Sequence, residues 1–122
     1  MLIGTRSLPE VTVRRASERD AHTLKWGTAT ITTLNSPTQA GDMSLHLFSL
    51  PMGREPALTH HHEGEEWLSV ISGVAEIRID GKAQVLREGD SLHFRAHRPH
   101  AYVNLASAPA VLLVAGHPRL GL

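Results

Sequence analysis

Short runs in which apolar and polar residues alternate are the feature that most constrains the fold of this 122-residue chain. They span Thr28–Leu34, Ser44–Leu50 and Val74–Ile79, and a period of two indicates strands whereas helices repeat every 3.6 residues. Asp80-Gly81 separates the third run from Lys82–Leu86, which predicts a hairpin with a type I′ turn because glycine adopts positive φ without steric cost. The chain is therefore predicted to be all-β.

Further short strands are predicted in the second half of the chain, separated by turn-forming residues. Many short strands at regular spacing favour a sandwich or a small barrel. The polar segment Ala16–Lys25 is predicted to be a loop or one short helical turn. The additional strands are Trp67–Ile71, Ser91–Phe94, Ala101–Leu105 and Ala110–Ala115.

The composition excludes several classes of protein. A length of 122 residues suits one domain, in which we expect N-terminal strands and a loop at 1–40 to pack on a barrel at 41–117. Lys and Arg (12) balance Asp and Glu (12), so no positive field is available to hold nucleic acid, and the lack of cysteine excludes disulfides and thiolate metal sites. Without a signal-peptide core or a membrane-length apolar run, a cytoplasmic protein with no membrane partner is expected.

Histidines carry the clearest chemical signal. On a strand, residues two apart face the same side, so His60 and His62 project together while His61 points away. Glu66 follows after a segment that can turn the chain, and His100 begins a later strand behind a stiffening proline. Three imidazoles and one carboxylate suit a divalent ion of iron, manganese, nickel, copper or zinc.

Spacing alone leaves other interpretations of these histidines open. A run of three histidines is often a mobile loop, and a single histidine after proline, such as His100, is usually structural or on the surface. A metal site follows only if the four side chains converge in the fold.

The chain resembles the cupin superfamily in both of its sequence motifs. The first motif is complete, and the second keeps its spacing but has Arg95 where proline is usual and His97 where glycine is usual, which leaves the form of that turn open. The matching residues are Gly53, His60, His62, Glu66 and Gly73 in the first motif, and Gly89, His100 and Asn104 in the second.

The resemblance implies a cupin-type double-stranded β-helix, a jelly-roll barrel that holds a metal ion inside one end. The side chains that face away, on Trp67, Ser69 and Ile71, would form a surface of the kind through which many cupins pair, so a homodimer is expected. The pocket lining would comprise Leu68, Val70, Ile77, Tyr102 and Phe48, an apolar pocket with a few polar points.

The sequence around the two motifs is also similar to that of the C-terminal sensor domains of XRE-type helix-turn-helix regulators. Such regulators carry a helical DNA-binding domain before the cupin, and the first residues of this chain show no helical period. Two interpretations follow: a stand-alone relative, or a chain that begins at Met1 as an excerpt of a longer regulator.

Two functions remain open, because one fold supports many activities. The chain binds a small polar molecule at the metal as a sensor or carrier, or it is a metal-dependent dioxygenase, isomerase or hydrolase in which Tyr102, His93 or His97 moves a proton. Arg95 and Arg98 would recognise a carboxylate or phosphate, or form an ordinary solvated turn. A metal-free structural cupin is the third interpretation.

Overall fold

The structure, a computed structural model, describes residues 11–35, 43–53, 59–118 and 120. Within these residues the backbone forms one 3₁₀ helix, Ala16–His22, and nine strands in two antiparallel sheets. The strands are β1 (Thr23–Trp26), β2 (Ala29–Thr33), β3 (Ser44–Leu50), β4 (Glu65–Ser72), β5 (Val74–Ile79), β6 (Lys82–Arg87), β7 (Ser91–Arg95), β8 (His100–Val103) and β9 (Ala110–His117).

Strand order shows a jelly-roll rather than a simple meander. One sheet has the order β1-β2-β3-β9-β4-β7 and the other the order β6-β5-β8, so strands distant in sequence lie side by side. β9 pairs with both β3 and β4 at the centre of the larger sheet. The prediction of an all-β jelly-roll is confirmed.

The core lies between the inner faces of the two sheets. Burial alternates strictly along β9, where every second side chain is buried, as a strand with one covered face requires. The smaller sheet contributes Ile77 and Tyr102, which are paired across β5 and β8 and have no exposed surface. The predicted pocket-lining residues Phe48, Leu68 and Val70 are all buried in this core.

Local predictions largely agree with the structure. β3 and β5 have the predicted bounds, and Asp80 and Gly81 have φ values of 55° and 81°, as a type I′ turn requires. Ala16–Lys25 agrees in part. The short helical turn that was one of two predictions for this segment is the 3₁₀ helix, but strand β1 follows it, and the sequence did not indicate that strand. β1 is short and pairs with β2 through the Gly27 turn, so tertiary pairing rather than a local pattern defines it.

None of the helical segments in the described part of the chain has the length and apolar character of a membrane span. Of the segment expected at 1–40 to pack on the barrel, residues 1–10 and 36–40 lie outside the described residues.

Candidate metal centre

His60 and His62 lie in an extended segment that adds to the edge of the smaller sheet. His60 exchanges both backbone hydrogen bonds with His100, at 3.0 and 2.9 Å, and this bridge is isolated rather than part of a longer strand. The rings of His60 and His62 are 5.4 Å apart and inclined by 18°, whereas His61 is exposed. The two histidines therefore share a face, as predicted from their spacing.

Glu66 reaches the same point from the larger sheet. It lies within β4, on the inward side that also carries Leu68 and Val70, and has no exposed surface. Gly64 makes the turn before it: φ is +95°, and a Cβ there would lie 2.1 Å from the carbonyl oxygen of His117. Only glycine fits at this position without a shift of backbone.

His100 completes the group from β8. Its side chain is 1% exposed and packs edge-on against Phe94, with ring centroids 4.8 Å apart. Two residues further along the strand, Tyr102 lies on the same inner face and donates a hydrogen bond from its hydroxyl to Oε1 of Glu66, at 2.5 Å. Three segments of the fold thus meet at one carboxylate.

The donor atoms of His60, His62, Glu66 and His100 all lie within 4.8 Å of one another. Oε2 of Glu66 lies 2.7 Å from Nε2 of His62 and 2.8 Å from Nε2 of His100, and the Nε2 atoms of His100 and His60 are 2.9 Å apart. Ligands about 2.1 Å from a common ion, at right angles, would be about 3 Å apart. The spacing of these neighbouring donors fits a divalent transition metal.

Backbone carbonyls orient two of the imidazoles. Nδ1 of His62 donates to the carbonyl of Glu63 at 2.9 Å, and Nδ1 of His100 donates to the carbonyl of Arg98 at 2.8 Å. A proton held on Nδ1 leaves Nε2 as the coordinating atom, and such partners raise ligand basicity. The donor set therefore fits the group that the sequence implied.

Electrostatics keep Glu66 ionised despite its burial. Burial alone raises its pKa, but hydrogen bonds from His100, His62 and Tyr102 outweigh that effect and lower the pKa from 4.5 to about 2. The hydrogen bond to Glu66 raises the pKa of His62, and burial raises the pKa of Tyr102 well above its ordinary range. The carboxylate is an anion and Tyr102 is a neutral donor.

Two aromatic neighbours of this cluster were not predicted as site residues. The ring centroid of Trp26, in β1, is 4.3 Å from that of His60, and Phe94 packs against His100. The signal for Phe94 was its parity with Leu92 in a predicted strand. Trp26 gave no such signal, since β1 itself was not predicted.

The other residues considered for chemistry lie elsewhere. His93 is on the outer face of β7, 3.1 Å from the carboxylate of Glu65 and against the ring of Trp67. His97 is exposed in the turn after β7. Arg98 in the same turn donates to Asp80 at 2.9 Å, with more than half of its side chain exposed, which agrees with a solvated charged turn. Of the three proton-transfer candidates, only Tyr102 touches the cluster.

Fold and site together define a small β-barrel with a buried cluster of imidazole and carboxylate donors. The sequence model of the family described as "Cupin domain" matches residues 46–116. The chain belongs to the cupin family.

Several solved structures are similar to this chain in fold. The cupin domain of an XRE-family transcriptional regulator from Enterobacter cloacae is 25% identical, with a TM-score of 0.64 over 74% of this chain and 96% of that one. Fe(II) HppE is 21% identical with a TM-score of 0.76, over 90% of this chain and 62% of that one. An RmlC-like cupin from Shewanella frigidimarina is 19% identical, with a TM-score of 0.69 over 86% and 88%. The last two show the fold alone, and no curated protein matches the chain.

Proposed function

We propose that this cupin binds one divalent transition metal ion through His60, His62, Glu66 and His100, and that the ion holds a small polar molecule, as a sensor or carrier domain. The observation that carries the proposal is the convergence of three Nε2 atoms and one carboxylate oxygen within 4.8 Å. When bound, such an ion acts as a Lewis acid toward a carbonyl, carboxylate or similar oxygen.

The residues of the chain prepare the site for the ion. Glu66 supplies a negative charge that compensates the divalent cation, and its lowered pKa means that no proton must leave it near neutral pH. His62 and His100 are held by carbonyls through Nδ1, so each ring offers its Nε2 atom to the ion.

Access supports exchange of a small molecule. His60 and His62 are only partly buried, whereas Glu66 and His100 are covered by the barrel. A ligand that approaches past the two partly exposed histidines would meet aromatic side chains, among them Trp26. A small molecule with one or two polar groups suits such a setting.

The similarity to a regulator's cupin domain favours a sensor or carrier, because that match covers nearly all of the other chain. The second candidate is a metal-dependent dioxygenase, isomerase or hydrolase, favoured by the Tyr102 hydroxyl, which hydrogen-bonds to Glu66 within the cluster. Consumption of a co-purified ligand by the metal-loaded protein would favour the enzyme, and unchanged recovery of the ligand would favour the sensor or carrier.

Elemental analysis of purified protein tests the proposal directly. We expect about one transition-metal ion per chain, since one cluster offers one set of ligands. Native mass spectrometry of the same sample would report any co-purified small molecule. Absence of metal even after anaerobic loading with iron, manganese, nickel and zinc would refute the metal site.

Substitution tests the ligand assignment. The double change His60→Ala with Glu66→Ala is expected to abolish loading, because two of four ligands are lost. His61→Ala is the matched control from the same histidine run, and we expect it to load normally because its side chain is exposed. Metal retention by the double variant would reject the assignment.

The expected partners follow from the same proposal. We propose a cytoplasmic homodimer with no bound nucleic acid, in which the outer face of the larger sheet is covered by a second copy. Trp67 is 41% exposed and lines, with Leu45, Leu92 and Leu113, a groove of about 450 Å³ on that face. Ile71 of the same strand is 49% exposed. A monomer in native mass spectrometry would contradict the pairing.

A further inference from the structure

We propose that Tyr102 is a positioning residue that occupies one oxygen of Glu66, so that the carboxylate offers its other oxygen alone to the metal ion and a coordination position stays open for the small molecule. The inference rests on the proposed metal site and assigns a different role to each carboxylate oxygen, one binding the ion and the other accepting the hydrogen bond from Tyr102.

The two oxygens of Glu66 have different surroundings. Oε1 accepts the hydroxyl hydrogen of Tyr102 at 2.5 Å, whereas Oε2 lies 2.7 and 2.8 Å from the Nε2 atoms of His62 and His100. The histidine donors therefore converge on Oε2, and the tyrosine holds Oε1. A carboxylate bound by both oxygens would have to give up the contact with Tyr102.

The tyrosine is held too firmly to move aside. It is completely buried, pairs with Ile77 across β5 and β8, and meets the ring of Phe48 edge-on at 5.2 Å. From this position its hydroxyl donates to Oε1 of Glu66. The group is thus a fixed donor.

Removing the hydroxyl would change what Glu66 does. A buried carboxylate oxygen without a partner carries a high desolvation cost, so Oε1 would turn to the strongest charge within reach. In a metal-loaded Tyr102→Phe protein that charge is the ion. The freed oxygen would then fill the position that the hydroxyl keeps available.

Cobalt(II) and azide make this testable without a known substrate. Wild-type protein loaded with cobalt(II) is titrated with azide while the visible absorption of the ion is recorded, and Tyr102→Phe is titrated alongside. We expect azide to bind the wild type and to bind the variant about tenfold more weakly, or about 1.4 kcal/mol. The spectrum of the azide-free variant should also shift, because the coordination of the ion changes.

Val103→Ala is the matched control. Val103 is the next residue of β8 and is equally buried, but strand alternation directs its side chain away from the inner face. It should lower thermal stability without changing the cobalt spectrum or the azide affinity. Equal azide affinity and an equal spectrum in wild type and Tyr102→Phe would overturn the inference, as would a wild type that takes no azide.

A second measurement needs no substitution. Infrared difference spectra between metal-free and zinc-loaded wild-type protein report the splitting of the carboxylate stretches, which is wide for one coordinating oxygen and narrow for two. The hydrogen bond from Tyr102 brings the splitting of a singly coordinated carboxylate towards that of the free carboxylate. A splitting at or above the free-carboxylate value supports the inference, and one well below it, as coordination by both oxygens gives, overturns it. Failure of the wild type to bind any metal would instead reject the proposed function, so the two failures are distinct.

Discussion

Two histidine–glutamate pairs involve glutamates on opposite faces of β4, and the pairs differ in burial and in the side chains around them. On the inner face, Oε2 of Glu66 lies 2.7 Å from His62, and the glutamate has no exposed surface. On the outer face, the adjacent Glu65 lies 3.1 Å from His93, and the two side chains are 41% and 45% exposed. The residue types are the same, and one step along the strand separates the glutamates.

The difference shows that convergence and burial, rather than residue type, define the candidate site. The inner pair is joined by His60, His100 and Tyr102, whereas the outer pair has the ring of Trp67 as its neighbour. An exposed ion pair contributes little to stability because water solvates both partners. Removing one partner of a buried pair is strongly destabilising because it leaves the other charge buried without compensation. Four experiments test this contrast.

The largest expected effect is on metal affinity. Glu66→Gln removes the only charged ligand of the cluster, and the affinity for zinc should fall by more than about 100-fold, the upper end of what residues that merely orient ligands cause. Glu65→Gln, the matched change on the outer face, should leave the affinity unchanged. Competition with a chromogenic chelator measures both, and a similar loss in the two variants would break the contrast.

The next largest effect is expected on stability, when an inward-facing and an outward-facing leucine of β9 are each shortened to alanine. Leu112 is completely buried, so Leu112→Ala should lower the free energy of unfolding by about 2–5 kcal/mol. Leu113 faces outward and is only partly buried, and Leu113→Ala should cost about 1 kcal/mol. Urea unfolding at low protein concentration measures both, and equal losses would contradict the assignment of inner and outer faces.

Acid should destabilise the metal-free protein through Glu66. Because its pKa is about 2 in the fold and ordinarily 4.5, its ionised form stabilises the protein above about pH 4.5, and that contribution is lost as the pH falls towards 2. The difference corresponds to about 3 kcal/mol. The raised pKa of His62 arises from the same hydrogen bond with Glu66, so it adds no separate contribution to this free energy.

Urea unfolding curves recorded at about four pH values between pH 6 and pH 2, with a chelator present, measure this loss of stability. Glu66→Gln should flatten the dependence, and Glu65→Gln should retain it. A wild-type slope that survives Glu66→Gln would assign the acid sensitivity to other carboxyl groups.

The smallest effect is expected for the outer pair. A double-mutant cycle with Glu65→Ala and His93→Ala should give a coupling free energy of about 0.2–1 kcal/mol, the range for solvent-exposed pairs. High salt should reduce it further. A coupling of several kcal/mol would show that the outer pair is shielded, for instance by a second copy of the chain.

Alternation and turn chemistry were enough to predict most of the fold. The inward parity of Leu68 and Val70, the Asp80-Gly81 turn and the bounds of β3 all follow from short-range rules that burial on one face reinforces. The same parity excluded His61 and correctly placed His60 and His62 side by side.

The remaining features depend on contacts between distant segments. β1 was not predicted because its four residues carry no pattern of their own and are defined by pairing with β2. Glu66 was predicted to precede a strand that begins at Trp67, but it lies within β4, and the alternation of that strand directs its side chain inward. The hydrogen bond from Tyr102 to Oε1 joins residues 36 positions apart, and no local rule specifies it.

The alternation along β4 also sets a rule for how this chain can change in length. Inserting or deleting one residue between Gly64 and Leu68 would turn Glu66 outward and bring Glu65 or Trp67 over the interior, since a slip of one residue exchanges the two faces of a strand. A change of two residues would restore the faces. The bulge between Val70 and Ser72 absorbs an odd step, and it lies beyond the cluster. Variation in length is therefore expected after Val70. Before it, an odd step exchanges the two faces, and an even step restores the faces but moves Glu66 along the strand by about 6.6 Å, away from the histidines.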